Sequence, residues 1–434
     1  MGISLRPLIK DILKENENII IKDLKKRDFD IDSMIKKKPN KIITITGFRR
    51  VGKTYLLFLI MEKLNDEFFI YFNFEDERIP ESTEVLTELL YAVEEFYGKQ
   101  PAYLFFDEIH IIPGWGKYLR RILSQNFKIF VTGSSSKLGL KEIPTELRGR
   151  TINYSILPLS FKEYLNFKGV DPKPQLTQHE IEIKKIYREY LIYGGFPEIY
   201  DANEIERKEV IQEYFRTLVQ RDLIDRFSIK EDALLNDTVK LLLNSLTVSI
   251  SKVTKTLQSM GYRCSKNTIA NYISYLEKSF FLFQVMYYSR NVKDQMQYPR
   301  KIYFTDNGFL KYLSLRPGES RFLENTVAVE LKRRGHEFYY WKNLKGEEVD
   351  FVIMEKDQVK QLIQVSVDIS QPETREREVR ALRKAMKHFG IADGLILTND
   401  SEELIQDNGF EIVVKPAWKW LLDSALPREQ RTFI

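Results

Sequence analysis

The chain has 434 residues, 43% of them hydrophobic, and its 67 Lys and Arg against 62 Asp and Glu give a formal net charge of +5. That length can bury more than one core and implies two to four domains, while so small a charge permits a nucleic-acid partner without requiring one. One cysteine, Cys264, excludes a disulfide framework. The N-terminal MGISLRPLIKDILKENENIIIKDLKKR is too charged for a signal peptide, and the longest apolar run, FFLFQVMYY at 280–288, is too short to span a bilayer, so a cytoplasmic protein with no membrane segment is expected. His110, His179, His336 and His388 have no metal-ligand spacing and read as surface or packing residues. The basic KKKPNK at 36–41 reads as a solvated lead-in to the first strand.

In chain order, the apolar IITIT runs into GFRRVGKT, Gly47 to Thr54, and then into the helix-like YLLFLIMEKL. Strand, glycine-bearing loop and helix start are what phosphate binding needs. Gly47 opens the nucleotide-binding loop, backbone N–H groups of Phe48, Arg49, Arg50, Val51, Gly52 and Lys53 can wrap the phosphates, Lys53 can reach the outer ones, and Thr54 can ligate Mg²⁺. Next, PAYLFFDEIH is a buried strand ending in Asp107 and Glu108. Asp107 is placed to hold Mg²⁺ through water, and Glu108 to orient and deprotonate the attacking water. FKIFVTGSSS is a further strand whose polar end offers Ser134, or Ser135 beside it, as a sensor of the γ-phosphate, or else a helix N-cap. ELRGR supplies Arg148 and Arg150, which are either a finger that meets transition-state charge, one acting across a subunit interface, or a solvated pair in a turn.

GFRRVGKT, YFNFEDERI, YLFFDEIH, VTGSSSKL, LRGR, LPLSFKEYL and YGGFPEI together resemble the archaeal branch of the AAA+ ATPase superfamily, related to the STAND-type NTPases. The resemblance implies a five-stranded parallel core with a helical lid, ATP hydrolysis with Mg²⁺, and assembly into homo-oligomers. It also implies that Pro197 of GGFP takes the place of a lid motif that contacts nucleotide. From the residues alone, Gly194 and Gly195 say only that a helix ends in a tight turn.

EYFRTLVQRDLIDRF reads as one helix with Phe215, Leu218, Val219 and Leu223 on a face, and with Arg221 and Asp222 as an in-helix charge pair or an interdomain contact. Residues 239–290 resemble a winged helix-turn-helix. In its third helix Ile269, Ile273, Leu276 and Phe280 fall on one side, and Asn267, Asn271, Ser274 and Lys278 on the other, where they can meet a DNA groove or phosphates. An amphipathic surface helix has the same pattern.

From about 318, FLENTVAVELKRRG is a helix, FYYWKN, EEVDFVI and QLIQVSVDI are strands, REREVRALRKAMKHFG is a helix, and DGLILTND and FEIVVKP are strands. This α/β/α order resembles the restriction-endonuclease-like fold found at the C-terminus of this ATPase family. By that resemblance Glu324 and Asp350 match the two metal-binding acids, whereas Gln364 stands at the Glu position and Ser366 at the Lys position. Gln364 removes a charge from a Mg²⁺ site and Ser366 removes the cation, so cutting is not expected unless Lys342 or Lys360 moves in. Glu347 and Glu348 read as an exposed turn.

The expected fold class is thus α/β: a P-loop core with an N-terminal helical arm (1–158), helical lid (159–232), winged helix-turn-helix (233–316) and degenerate endonuclease-like domain (317–434). The expected function is a DNA-associated oligomeric ATPase that uses Mg²⁺, with branched or recombining DNA as a candidate substrate. The rivals are a STAND-like switch that binds protein and an ATP-gated metal-dependent endonuclease.

Overall fold

The computed structural model describes residues 5–17, 24–36, 41–64, 67–133, 145–173, 177–407 and 409–423. They form two compact units that divide after Leu157.

In the first unit, strands β1 (Ile42–Gly47), β2 (Phe69–Asn73), β3 (Tyr103–Asp107), β4 (Lys128–Gly133) and β5 (Thr151–Ile156) make an all-parallel sheet in the order β2-β3-β4-β1-β5. A parallel sheet needs helices on both faces, and its central strands accordingly read as unbroken apolar runs. Every residue of β1 and of β3 is buried. The order sets β4 between β1 and β3, so the loop after β1 and the acids at the end of β3 emerge at the same carboxyl edge on either side of one strand. That edge is where open α/β sheets bind ligands. The helical arm Leu5–Glu17 buries Ile9, Ile12 and Leu13, and its Lys10 pairs with Glu95 of helix Thr83–Tyr97 at 2.7 Å.

The second unit begins with helices Phe161–Phe167, Thr177–Tyr193 and Glu204–Thr217. The expected single helix through 230 instead turns into a π-helical stretch, Leu218–Asp225. The wider turn puts Asp222 in the interior while Arg221 stays exposed, so these two are not a pair along one face. Helices Asp232–Leu243, Ile250–Ser259 and Lys266–Lys278 follow. They accompany a small antiparallel sheet of β6 (Thr247–Val248), β7 (Leu282–Val285) and β8 (Arg300–Phe304) in the order β6-β8-β7. Ile269, Tyr272, Ile273 and Leu276 form the buried stripe of the third helix, which stops at the cap Ser279. Phe280, expected on that stripe, lies beyond the cap at φ 58° and is only half-buried.

The last sheet contains β9 (Glu337–Lys342), β10 (Glu348–Glu355), β11 (Gln358–Val365), β12 (Asp393–Thr398), β13 (Glu403–Asp407) and β14 (Phe410–Pro416), ordered β13-β14-β12-β11-β10-β9. Helix Pro372–Phe389 covers it, and helix Glu319–Arg333 is buried from Phe322 to Leu331. Strand β13 was not expected: its ELIQD has too little apolar character to stand out, and it forms by pairing antiparallel with β14 at the sheet edge. β11 ends at Val365, so Ser366 follows the strand rather than ending it.

Candidate functional site

At the carboxyl edge of the first sheet, the chain leaves β1 at Gly47, where a Cβ would stand 2.3 Å from the Ile156 carbonyl oxygen; only glycine fits. Phe48 and Val51 are buried in the core, which anchors the loop. Arg50 (φ 65°) and Gly52 (φ 95°) take left-handed conformations that curl the loop into the start of helix Lys53–Glu62. The Lys53 ammonium is buried and folds back to donate to Phe48 O at 3.1 Å and Gly47 O at 3.4 Å. These are weak, replaceable partners for a cation that phosphate oxygens would hold more strongly.

Opposite the loop, the Thr54 hydroxyl donates to Asp107 Oδ2 at 2.7 Å, and the Tyr71 hydroxyl donates to the same oxygen at 3.1 Å. Thr132 of β4 donates to Asp107 Oδ1 and accepts from the Glu108 amide at 3.1 Å. Burial pushes the Asp107 carboxyl above its ordinary range, against the pull of those hydroxyls. Asp107 and Thr54 therefore present adjacent oxygen ligands, the donor type that Mg²⁺ takes. Glu108 sits just past the strand in a left-handed conformation (φ 52°), with Oε1 3.9 Å from Lys53 Nζ and Oε2 3.2 Å from His110 Nδ1. His110, read as a surface or packing residue, is mostly covered and packs against Glu108.

Three features of this site were not expected. Thr132 joins the two acids to β4. Tyr71 reaches Asp107 from β2. Arg27, ahead of the first sheet strand, is buried and donates to Val51 O at 2.9 Å and Leu157 O at 3.0 Å, which braces the loop from behind. A basic residue in a polar stretch carries no periodicity that marks it. Ser134 and Ser135 lie outside the described residues, as do 37–40 of the basic cluster.

Arg148 and Arg150 are exposed, and the Arg150 carbonyl accepts from Ile42 N at 2.8 Å, at the opening end of β1. The loop is at the closing end of that strand, where Gly47 pairs with Ile156. Both therefore lie away from the phosphate loop of their own chain, which leaves the solvated pair in a turn and the action across a subunit interface as their two readings.

Pro197 belongs to the second unit, where it starts a short 3₁₀ turn, Pro197–Ile199. The glycines before it have a structural cause. Gly194 is at φ 83°, and a Cβ there would lie 1.8 Å from Asp306 Oδ1, while the Gly195 amide donates to Asp306 Oδ2 at 2.7 Å. Burial pushes the Asp306 carboxyl up to about 7.

The structure does bring Glu324, Asp350 and Gln364 together, but around a residue not anticipated. Lys301 of β8 is fully buried, and its Nζ is 3.0 Å from Glu324 Oε1, 2.8 Å from Asp350 Oδ1 and 2.8 Å from Glu348 Oε1. Burial alone would lower this ammonium, but Asp350 and Glu324 hold it well above its ordinary value. Asp350 lies in a bulge of β10 against β9, and its Oδ2 accepts from Val365 N at 2.9 Å. Gln364 donates to Glu378 Oε2 at 2.7 Å, and Ser366 donates to the Asp368 carbonyl at 3.1 Å. Neither Lys342 nor Lys360 takes the cation's place: Lys342 is 3.5 Å from Glu348 at the margin and Lys360 is exposed. Glu347 and Glu348 are half-buried rather than a free turn; Glu347 pairs with Lys384 at 2.5 Å. Among the described residues no cluster of His, Cys, Asp and Glu is arranged to hold a metal ion, and no helix is long and apolar enough to cross a membrane.

Comparisons with known proteins agree with the first unit. Residues 39–165 match the AAA domain family, and 184–320 and 319–418 match two domain families of unknown function. An uncharacterized protein of Methanocaldococcus jannaschii is 37% identical over 97% of this chain and 96% of its own. The chain belongs to that protein's family. A second uncharacterized protein, from Haemophilus influenzae, is 29% identical over 87% of this chain and 94% of its own. Among solved structures, a Walker-type ATPase of Pyrococcus abyssi aligns at 16% identity and TM-score 0.43, covering 65% of this chain and 93% of that one. AMPPCP-bound DnaA from Aquifex aeolicus aligns at 14% identity and TM-score 0.26, covering 57% and 85%. The first unit of this chain is a P-loop core of the AAA type, an α/β fold around a parallel sheet.

Proposed function

We propose that the protein is a DNA-associated ATPase that works as a homo-oligomer. The observation that carries the ATPase is the hydrogen bond from Thr54 to Asp107 beneath the phosphate loop, with Glu108 turned toward Lys53. Amides of 48–53 and the Lys53 ammonium would bind the phosphates, and Thr54 and Asp107 would hold Mg²⁺, which neutralises phosphate charge when bound. Glu108 accepts the proton of the attacking water, and His110 beside it orients the carboxylate. Arg148 or Arg150 would complete the site of a neighbouring subunit, the Ser134 and Ser135 region would sense the γ-phosphate, and Pro197 would belong to the lid.

The DNA association rests on the second unit. The order helix, strand, helix, helix, strand, short helix (Val292–Gln297), strand over 232–304 supports a winged helix-turn-helix whose last two strands are joined by that short helix, with Asn267 and Asn271 exposed on its third helix and Ser274 and Lys278 partly covered beside them. The mixed sheet and its helices support a restriction-endonuclease-like domain that holds DNA rather than cuts it, because Lys301 stands among the acids where a cation would act. ATP turnover measured with and without single-stranded, duplex and four-way-junction DNA is the test. Stimulation by DNA that weakens steeply with salt is expected. Turnover indifferent to every DNA, with no DNA bound at low salt, would favour the protein-binding switch instead.

A further inference from the structure

Within the second unit, a cleft of about 1300 Å³ opens between the segment joining β7 to β8 and the turn joining β9 to β10. It exceeds the roughly 300–1,000 Å³ typical of small-ligand pockets, so its size suits a length of polymer. The two walls are tied together by backbone bonds: Tyr288 N donates to Tyr340 O at 2.7 Å, and Tyr340 N donates to Met286 O at 3.1 Å.

The lining combines rings and cations. Tyr287 and Tyr298 lie stacked, centroids 4.1 Å apart and planes 14° from parallel, and Tyr298 is 41% exposed. Trp341 is buried beneath His388, their centroids 5.4 Å apart, and Phe389 packs edge-on to Tyr288. Arg290, Lys342, Lys345 and Lys384 line the cleft against a single carboxylate, Asp357. Lys384 and Lys342 are engaged by Glu347 and Glu348. Arg290 and Lys345 are exposed and, among the described residues, make no ion pair. Unpaired cations flanking an aromatic recess ask for a partner with both negative charge and flat faces.

We propose that this cleft binds single-stranded nucleic acid, with a base extending the Tyr287–Tyr298 stack and backbone phosphates meeting Arg290 and Lys345. The inference rests on the DNA-associated reading and narrows it to unpaired strands at a stated place. Single strands are preferred over duplex because only unpaired bases can offer a face to a ring; duplex bases are already stacked on one another. The excess of cations also disfavours a neutral or basic peptide.

The test is fluorescence anisotropy of the full-length protein with a labelled oligothymidylate and, separately, a hairpin duplex. The double variant Arg290→Glu, Lys345→Glu is expected to bind the oligothymidylate at least about tenfold more weakly and with a shallower salt dependence. Tyr298→Ala is expected to lose about fivefold or more, and Tyr298→Phe, which keeps the ring, to restore it. Duplex binding through other surfaces should change far less. Wild-type affinity for oligothymidylate in both the double variant and Tyr298→Ala overturns the cleft while leaving DNA association standing. Absence of binding to either DNA by the wild type removes both. Competition by polyglutamate as effective as by oligothymidylate would assign the cleft to an acidic protein and overturn the proposal.

Discussion

Two sites in this molecule set a lysine among carboxylates, and they differ in whether the cation is free to change partners. Lys53 rests on two backbone carbonyls, and Glu108 stands 3.9 Å away, beyond direct hydrogen bonding. Lys301 has three carboxylates within 3.0 Å and no exposure. A desolvated ammonium with three anionic partners within 3.0 Å has nowhere better to go, whereas one that donates to backbone carbonyls with its carboxylate at 3.9 Å gains by meeting a phosphate. The same residue types would thus support exchange in one unit and lasting occupancy in the other.

The largest effect expected is at the exchangeable site. Lys53→Ala should abolish nucleotide binding, and Glu108→Gln should bind ATP normally in a filter or fluorescence assay while turnover falls about 10²–10⁴-fold. Normal turnover in Glu108→Gln would remove Glu108 as the base.

The comparison is tested from the other side by emptying the occupied site. Lys301→Met leaves buried acids uncompensated and should cost about 3–5 kcal/mol in denaturant unfolding. Mn²⁺ should then bind to the variant, visible by electron paramagnetic resonance, and restore part of the loss. Mn²⁺ bound by the wild type and lost in Asp350→Asn would show that Lys301 does not fill the seat.

A smaller loss is expected where one arginine braces the phosphate loop. Arg27→Ala removes two charge-assisted bonds to backbone carbonyls and should destabilise the first unit by about 2 kcal/mol and weaken ATP binding. Unchanged ATP affinity would reduce Arg27 to a packing role.

The smallest effect is a pH dependence at Asp306. Its folded carboxyl titrates at about 7, above the unfolded value. The folded chain therefore holds this proton more tightly, and the stability it contributes is full below about pH 4 and is lost as pH rises through about 7. Asp306→Asn should flatten that fall relative to the wild type; identical profiles from pH 4 to 8 would contradict the buried titration.

Much of the nucleotide site was legible because its signals are local. GFRRVGKT and FFDEIH place loop, helix start and acids within short stretches, and the burial of β1 and β3 follows from their apolar runs. Thr132, Tyr71 and Arg27 were not legible, since each is an ordinary residue in an ordinary stretch that reaches the site only through strand order or a long return of the chain. The acid cluster shows the same limit more sharply: Gln364 and Ser366 announced a missing lysine, but nothing near them in sequence pointed to Lys301. Lys301 lies 49 residues before Asp350 and 23 before Glu324.

By itself the sequence determined a P-loop motif with its paired acids, the strongly apolar strand and helix runs, though not β13 or the π-helical stretch, and the absence of the Glu-x-Lys pair, because each depends on neighbours along the chain. Only the tertiary structure decided that Arg148 and Arg150 are out of reach of their own loop, that Gly194 is required by Asp306, and that a lysine from β8 sits among the acids of β10 and helix Glu319–Arg333. The physical reason is that charge partners are chosen by distance in space. A buried carboxylate takes whichever cation the fold delivers to it, and no spacing in the sequence records that delivery.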